Sequence, residues 1–184
     1  MARDAFAPPL GLLAGELEAA LGPQAILRDQ PLGRYTALRI GGPADLLVVA
    51  TTAATLRQAV SLAWQHEVPC RVLGGGANVL VSDAGVRGLV VINRAKGISF
   101  SSPDPAALHR VIAESGASLS TVARKCVARG LAGLEWAASI PGTVGGAVVG
   151  NAGAWGGDVA SSLVGAILLE PGGAVGYWPV ERFA

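Results

Sequence analysis

The segment from Leu46 to Leu73 constrains the fold of this chain more than any other. Leu46-Leu47-Val48-Val49 is a continuous apolar run between Asp45 and Thr51, the pattern of a strand buried on both faces. Leu56, Ala59, Val60, Ala63 and Trp64 then recur at helical spacing, which puts them on one side of a helix. Thr52 or Thr55 can cap its start. Cys70 to Leu73 makes a short second strand. Strand, helix and strand within about thirty residues predict a βαβ unit, with parallel strands and a right-handed crossover.

The rest of the chain extends this pattern. Residues 1–9, with Pro8 and Pro9, read as a loose leader. Leu10, Leu13, Ala14, Leu17 and Leu21 follow helical spacing until Gly22-Pro23 stops it. A connector with several polar residues, through Asp29-Gln30-Pro31-Leu32-Gly33, leads into Tyr35 to Gly42. Gly88 to Asn93 reads as a third buried strand. Between Arg94 and Pro105 the chain turns polar and turn-rich, which predicts a domain boundary there. A second unit is expected to begin near Leu108, with a strand over Arg110 to Ala113. Leu119, Val122, Ala123, Cys126 and Val127 form a second helical stripe, with Ser118 as N-cap and Gly130 past its end. Leu163 to Leu169 and Ala174 to Trp178 predict a hairpin across Pro171-Gly172-Gly173. The class is α+β or α/β, with two small lobes.

Composition narrows the function classes. With 51% hydrophobic and 15% charged residues the chain is too apolar to be disordered, and 184 residues suit one domain or one plus part of another. A net charge of +1 supplies no global field for nucleic acid or an anionic membrane. Cys70 and Cys126 are the only cysteines, an ordinary count for a reduced cytosolic protein. No CxxC or nearby His pair supports a metal site. No apolar region follows a basic cluster at the N-terminus, so no secretory signal is expected. Trp136 to Gly157 runs 22 residues without a charge, and Gly142, Gly146 and Gly150 at four-residue spacing resemble a membrane-helix dimer face. Seven glycines, Pro141 and Asn151 are poor helix material, so a loop is the stronger reading.

Two glycine clusters carry the chemistry. Leu73-Gly74-Gly75-Gly76-Ala77-Asn78-Val79-Leu80 follows the second βαβ strand, at the carboxyl end where open α/β sheets place ligands. Successive glycines bare backbone N–H groups, a nest suited to a pyrophosphate; a flexible turn is the other reading. Ile140 to Ala147 and Gly150 to Gly157 form the second cluster, in which Thr143 and Asn151 bring polar groups to an apolar lining. It suits close approach to a flat or charged ligand, or tight packing on its own protein. GxGxxG and GxxxxGK[ST] are both absent, so a dinucleotide would not bind in Rossmann or P-loop fashion. His66, after the first helix, and His109, before a strand, read as structural. Glu135-Trp136 is a weaker functional candidate.

Tyr35-Thr36 with Ile40-Gly41-Gly42-Pro43-Ala44, then Leu73 to Leu80, Gly130 to Gly146 and Asn151 to Gly157, together resemble the UDP-N-acetylenolpyruvoylglucosamine reductase family, also called UDP-N-acetylmuramate dehydrogenase. Four motifs match in order from about Leu32 onward. The resemblance implies an α+β fold: a two-lobed FAD-binding domain of the vanillyl-alcohol-oxidase/PCMH type, with FAD between the lobes. Residues 1–31 would be an N-terminal helix and connector, 32–97 the first lobe and 98–184 an incomplete second lobe. It implies that Gly74, Gly75, Gly76, Ala77 and Asn78 hold the FAD pyrophosphate. Tyr35, Thr36, Ile40, Gly41, Val79, Leu80 and Gly116 would also bind the cofactor. Ile140, Pro141, Gly142, Thr143, Gly145, Gly146, Asn151, Ala152 and Gly153 would contact its flavin side. In the family NADPH reduces the flavin, which passes hydride to the enolpyruvyl group of a UDP-sugar, giving UDP-N-acetylmuramate for peptidoglycan in the cytoplasm.

Several residues depart from the family pattern. Ala77 stands where Ser is usual, which removes one hydroxyl contact worth about 1 kcal/mol and keeps the backbone N–H. Ser139 and Gly150 replace a common Gly and Met, and Trp155 a frequent Tyr. The next family motif, Phe-Gly-Tyr-Arg followed by Ser, would begin directly after Glu181-Arg182-Phe183-Ala184. The resemblance therefore implies that the catalytic Arg, the proton-donating Ser, a late Glu and the third, substrate-binding domain lie outside these residues. On that ground the chain alone is expected to lack reductase activity. A non-catalytic flavin-binding module, or another oxidoreductase with the same FAD domain, are the alternatives. Nothing in the sequence indicates an oligomeric state.

Overall fold

A computed structural model describes residues 7–101 and 109–183. Residues 1–6 of the expected leader, Pro105 and Leu108 lie outside the described residues, whereas residues 7–9, expected to be loose, open the first helix. The chain divides into two compact units, Met1–Arg94 with Leu169–Gly176 and Ala95–Leu168 with Tyr177–Ala184.

In the first unit, helix α1 (Ala7–Leu21) buries Leu13, Ala14 and Leu17 completely, the stripe expected from their spacing. Burying each leucine contributes about 2 kcal/mol. Gly22 ends the helix in a left-handed conformation. Helix α2 (Ala53–Gln65) starts on Thr52, whose side chain accepts from the Thr55 amide. It buries Ala59, Val60 and Ala63. His66 closes that helix and sits 3.1 Å from the Glu16 carboxylate of α1.

The sheet of this unit has strand order β1-β2-β4-β3, from β1 (Ile26–Pro31), β2 (Pro43–Ala50), β3 (Cys70–Leu73) and β4 (Val86–Asn93). Both β2 and β3 pair parallel with β4, so the βαβ strands are parallel as predicted, with β4 between them. One face of the sheet packs Leu46, Val48, Ala50, Leu89 and Val91 against α1 and α2. The other gathers Leu32, Ala44, Leu47, Val90 and Ile92. A register shift between Ala44 and Leu46 accounts for Ala44 joining Leu47 on that second face. Leu46, Leu47 and Val48 are buried; Val49, expected inside with them, is partly exposed.

Residues 26–31 correct the connector expectation. They form a strand antiparallel to β2, and only Ile26 along it is buried. An edge strand with one inward residue leaves no alternating pattern to read.

The second unit holds its own core. Helix α3 (Leu119–Val127) is capped by Ser118, which accepts from the Thr121 amide. Leu119, Val122, Ala123 and Cys126 are buried as their spacing predicted, while Val127 is exposed. Val122 and Cys126 pack with Ala117 against strands β5 (Ile98–Phe100) and β6 (Val111–Ala113). Strand β5, antiparallel to β6, stands where only turns were expected between Arg94 and Pro105. Leu119 and Ala123 pack with Ala137, Ala147 and Val159. The Gly-rich stretch contains a 3-10 turn at Glu135–Ser139, helix α4 (Val144–Val149), and the short pair β7 (Gly153–Ala154) and β8 (Gly157–Asp158). Helix α5 (Val159–Ser162) follows. Helix α4 was not anticipated in so glycine-rich a segment. Among the described residues no helix is long and apolar enough to cross a membrane. The predicted hairpin is present as β9 (Gly165–Leu169) and β10 (Val175–Pro179).

Candidate functional site

In the first unit, the parallel strands β3 and β4 deliver the Gly74–Asn78 loop at the carboxyl end of β3, the end at which such sheets place ligands. The loop is anchored, not free. Gly76 is buried with φ +64, and its carbonyl accepts from the Ala37 amide at 2.9 Å. The Arg94 guanidinium donates to the Gly74 carbonyl at 2.9 Å. Among the described residues, the amides of Gly75, Gly76, Ala77 and Asn78 have no backbone or side-chain acceptor. A loop held by its carbonyls, with its donors unspent, is a nest for an anion.

The same unit brings Tyr35, Thr36, Ile40 and Gly41 to this loop. A Cβ on Gly76 would overlap the Tyr35 carbonyl and crowd the Thr36 Cα. Thr36, buried, donates from Oγ1 to the Ile40 carbonyl at 2.8 Å, tying the 36–40 turn. Gly41, with φ +137, lies against Val81, and the Gly42 amide donates to the Ser82 carbonyl at 2.9 Å. Segments 35–42 and 74–82 thus form one cluster. Its apolar members are turned outward: Ile40 is 48% and Leu80 75% exposed, and Val79 is also exposed. Such surface suits a partly apolar ligand.

Beside the cluster lies an open cleft of about 790 Å³, lined by Pro31, Gly33, Arg34, Thr36, Ala37, Arg39 and Gly41. Sequence reasoning passed over its two arginines. Arg39 has φ +57, an unusual conformation for a side-chain-bearing residue, which only the folded turn reveals.

In the second unit, the predicted residues of the Gly-rich stretch gather around the start of α4. The Ala117 carbonyl accepts from the Val144 amide at 2.9 Å, and the Ser115 carbonyl from Gly145 at 2.8 Å. The Gly142 carbonyl accepts from Leu119 at 3.1 Å. Buried Gly116 is therefore bracketed by backbone bonds to 142–145, and Ser118 bridges Thr143. Thr143 caps α4, its Oγ1 accepting from the Gly146 amide at 3.4 Å. Ile140 is partly buried in the core of this unit, and Pro141 is exposed.

Asn151 has φ +40, and its Oδ1 accepts from the Ala160 amide at 2.9 Å at the start of α5. Its acceptor is thus committed to the fold. Ala152 packs into the core and donates to the Ala147 carbonyl at 2.9 Å. Gly153 pairs with Asp158, where a Cβ would crowd the Gly157 carbonyl. Asp158 is held below its usual carboxylate range, first by the Ser161 amide and then by the Ser161 hydroxyl. The Glu135 carboxylate accepts from the Gly133 amide at 2.7 Å, which gives it a local structural job. Trp136 lies against Gly157, and a shallow cleft of about 480 Å³ is bounded by Glu135, Trp136, Trp155, Gly156 and Gly157. His109 is exposed.

Both cysteines are free thiols, and burial pushes Cys70 up to about 11 and Cys126 upward as well. Neither is a ready nucleophile.

The chain is similar to several known proteins. A family profile described as an FAD binding domain matches residues 44–175. A UDP-N-acetylenolpyruvoylglucosamine reductase of Rubrobacter xylanophilus is 47% identical over 155 residues, covering 83% of this chain and 50% of that protein. One from Alkaliphilus oremlandii is 38% identical over 159 residues, again across half of its length. The chain spans about half the length of these curated relatives. The crystal structure of UDP-N-acetylenolpyruvylglucosamine reductase from Thermus caldophilus superposes with a TM-score of 0.66 at 31% identity, covering 84% of this chain and 53% of that one. An alkyldihydroxyacetonephosphate synthase, at 20% identity and a TM-score of 0.64 over 92% of this chain and 34% of its own, shares the fold. The α+β fold is thus that of the two-lobed FAD-binding domain expected from the motifs.

Proposed function

This chain belongs to the FAD binding domain family, and we propose that it is the flavin-binding portion of a UDP-N-acetylenolpyruvoylglucosamine reductase. The observation that carries the reading is the Gly74–Asn78 loop, pinned through its carbonyls while its amides remain free to donate. A diphosphate needs several donors at close approach, and this loop offers four without a side chain at Gly75 or Gly76 to obstruct it.

In this reading Gly74 to Asn78 hold the diphosphate bridge of FAD, and Tyr35, Thr36, Ile40, Gly41, Val79 and Leu80 line the surface beside that loop. Gly116, Ile140 to Gly146 and Asn151 to Gly153 present backbone to the flavin side. Residues 32–97 act as the main part of one lobe, which also takes in α1, β1 and Leu169–Gly176, and the rest of 98–184 acts as the other. When bound, FAD supplies hydride transfer from NADPH to the enolpyruvyl group of UDP-N-acetylglucosamine enolpyruvate, giving the peptidoglycan precursor UDP-N-acetylmuramate in the cytoplasm. Residues 1–184 bind and orient that cofactor. None of them is assigned to protonating the substrate carbon, a task worth orders of magnitude in rate.

The test is reconstitution. Purified protein with added FAD should be yellow and retain flavin through desalting. Gly75→Val should lose retention, whereas Gly11→Ala, at a position in α1 with nothing within 4 Å, should keep it. Wild-type protein that stays colourless, or a Gly75→Val variant that holds flavin normally, would sink the assignment. NADPH consumption with the UDP-sugar should stay at background.

A further inference from the structure

We infer that Arg34 and Arg39 form a second phosphate-recognition site in the first unit, distinct from the Gly74–Asn78 loop and taking a phosphate of a nucleotide other than FAD. The inference rests on the FAD reading in one respect only: the loop is already assigned to the FAD diphosphate.

Both arginines line the open cleft of about 790 Å³, together with Thr36 and the backbone of Gly33 and Gly41. Both are exposed, and among the described residues neither guanidinium has an ion pair or a hydrogen bond. Arg28 and Arg87 of the same unit behave differently, pairing with Glu18 and Asp45 respectively. Arg39 is held in place by its backbone. Its φ is +57, its amide donates to the Thr36 carbonyl at 3.2 Å, and its carbonyl oxygen lies 2.9 Å from where a Cβ on Gly33 would fall. A rare conformation kept by close packing fixes where the guanidinium leaves the chain.

Two guanidiniums at one cleft, without a carboxylate to neutralise them, match a phosphate, which arginine binds through paired N–H donors. Thr36 ties the cleft to the loop, because its Cα borders Gly76 and the next residue, Ala37, donates to the Gly76 carbonyl. A ligand phosphate in the cleft would therefore sit beside the FAD diphosphate without sharing its amides. The 2′-phosphate of NADPH and the diphosphate of the UDP-sugar are the two sources that this chemistry admits.

The probe is inorganic pyrophosphate, titrated calorimetrically at low salt into FAD-loaded protein. A parallel titration uses Gly75→Val protein, whose loop is blocked, so the cleft is read even if the chain takes up no FAD. The Arg34→Gln/Arg39→Gln double variant should bind pyrophosphate at least tenfold more weakly in both settings, and the Lys/Lys variant should recover part of the loss. FAD affinity of the Gln/Gln variant should stay within twofold of wild type. An unchanged pyrophosphate affinity overturns the site. A tenfold loss of FAD affinity also overturns it, by assigning the arginines to the cofactor's own diphosphate. Competition by 2′,5′-ADP identifies the NADPH phosphate and competition by UDP the substrate diphosphate; competition by neither overturns the nucleotide assignment. Flavin uptake by wild-type protein is read separately, so failure of the FAD reading leaves the pyrophosphate result standing.

Discussion

Gly76 lies so close to Tyr35 that a Cβ built on it would fall inside the Tyr35 carbonyl oxygen, while the Gly76 carbonyl accepts from Ala37 two residues further on. The contact is backbone on backbone, so no side chain can swing aside to relieve it. Gly76 also has φ +64, where any other residue costs about 1–2 kcal/mol. Gly76→Ala should therefore destabilise the protein by about 3 kcal/mol or more once the steric clash is added. The check is chemical denaturation of the variant without flavin. A midpoint equal to wild type would show that the 35–37 and 74–78 segments are not joined as described.

Helix α4 offers two adjacent glycines with opposite expectations. A Cβ on Gly145 would lie 2.9 Å from the Ser115 Cβ and 3.0 Å from its carbonyl oxygen, whereas one on Gly146 meets only Thr143 Oγ1 at 3.5 Å. Alanine favours the helix over glycine by up to about 1 kcal/mol. Gly146→Ala should gain about 0.5 kcal/mol, and Gly145→Ala should lose about 1–2 kcal/mol because backbone must shift. Denaturation midpoints moving in the same direction would contradict the packing of α4 on residue 115.

That contrast shows where the sequence was legible and where it was not. Strand β2, helix α2 and helix α3 announce themselves because burial and sequence pattern coincide along each: Leu46 to Val48 are all inside, and Leu119, Val122, Ala123 and Cys126 share one buried stripe. Strand β1 does not, since Ile26 alone is buried and the other five residues carry no alternation. Helix α4 was hidden because glycine argues against a helix, and its glycine at position 145 is required by a neighbour thirty residues earlier in the chain. Contacts of that separation leave no local signature. For the same reason the sequence foretold parallel β2 and β3 but not β4 between them. At the candidate site, three glycines in a row marked the loop, whereas Arg34 and Arg39 look like any surface arginines until the turn places both at one cleft.

Asp158 caps α5, its carboxylate accepting from the Ser161 amide at 2.8 Å while the Ser161 hydroxyl completes a capping box. These bonds favour the charged form and lower its pKa. A lowered folded-state pKa means that the contribution is present above the unfolded value, near 4 for Asp, and fades as pH falls through the folded value. Asp158→Ala should thus lower the melting temperature at pH 7, and the gap to wild type should narrow below about pH 4. A gap that is constant from pH 7 to pH 3 would mean that the carboxylate charge does not contribute.

Cys70, in the strand that leads into the Gly74–Asn78 loop, should resist alkylation. Burial pushes its thiol up to about 11, and the nearby Arg71 charge offsets only part of that. Only the thiolate reacts, so at pH 8 about one thousandth of the thiol is reactive, against roughly a quarter for an ordinary cysteine. Iodoacetamide should therefore label Cys70 at least tenfold more slowly in folded than in denatured protein, read by mass spectrometry of its peptide. The folded rate should keep rising, by about tenfold per pH unit, from pH 8 to pH 10, since the titration midpoint lies beyond that range. A rate that levels off near pH 9 would mean that the thiol titrates as an exposed group. In that case Cys70 would not pack against the apolar core of the first unit.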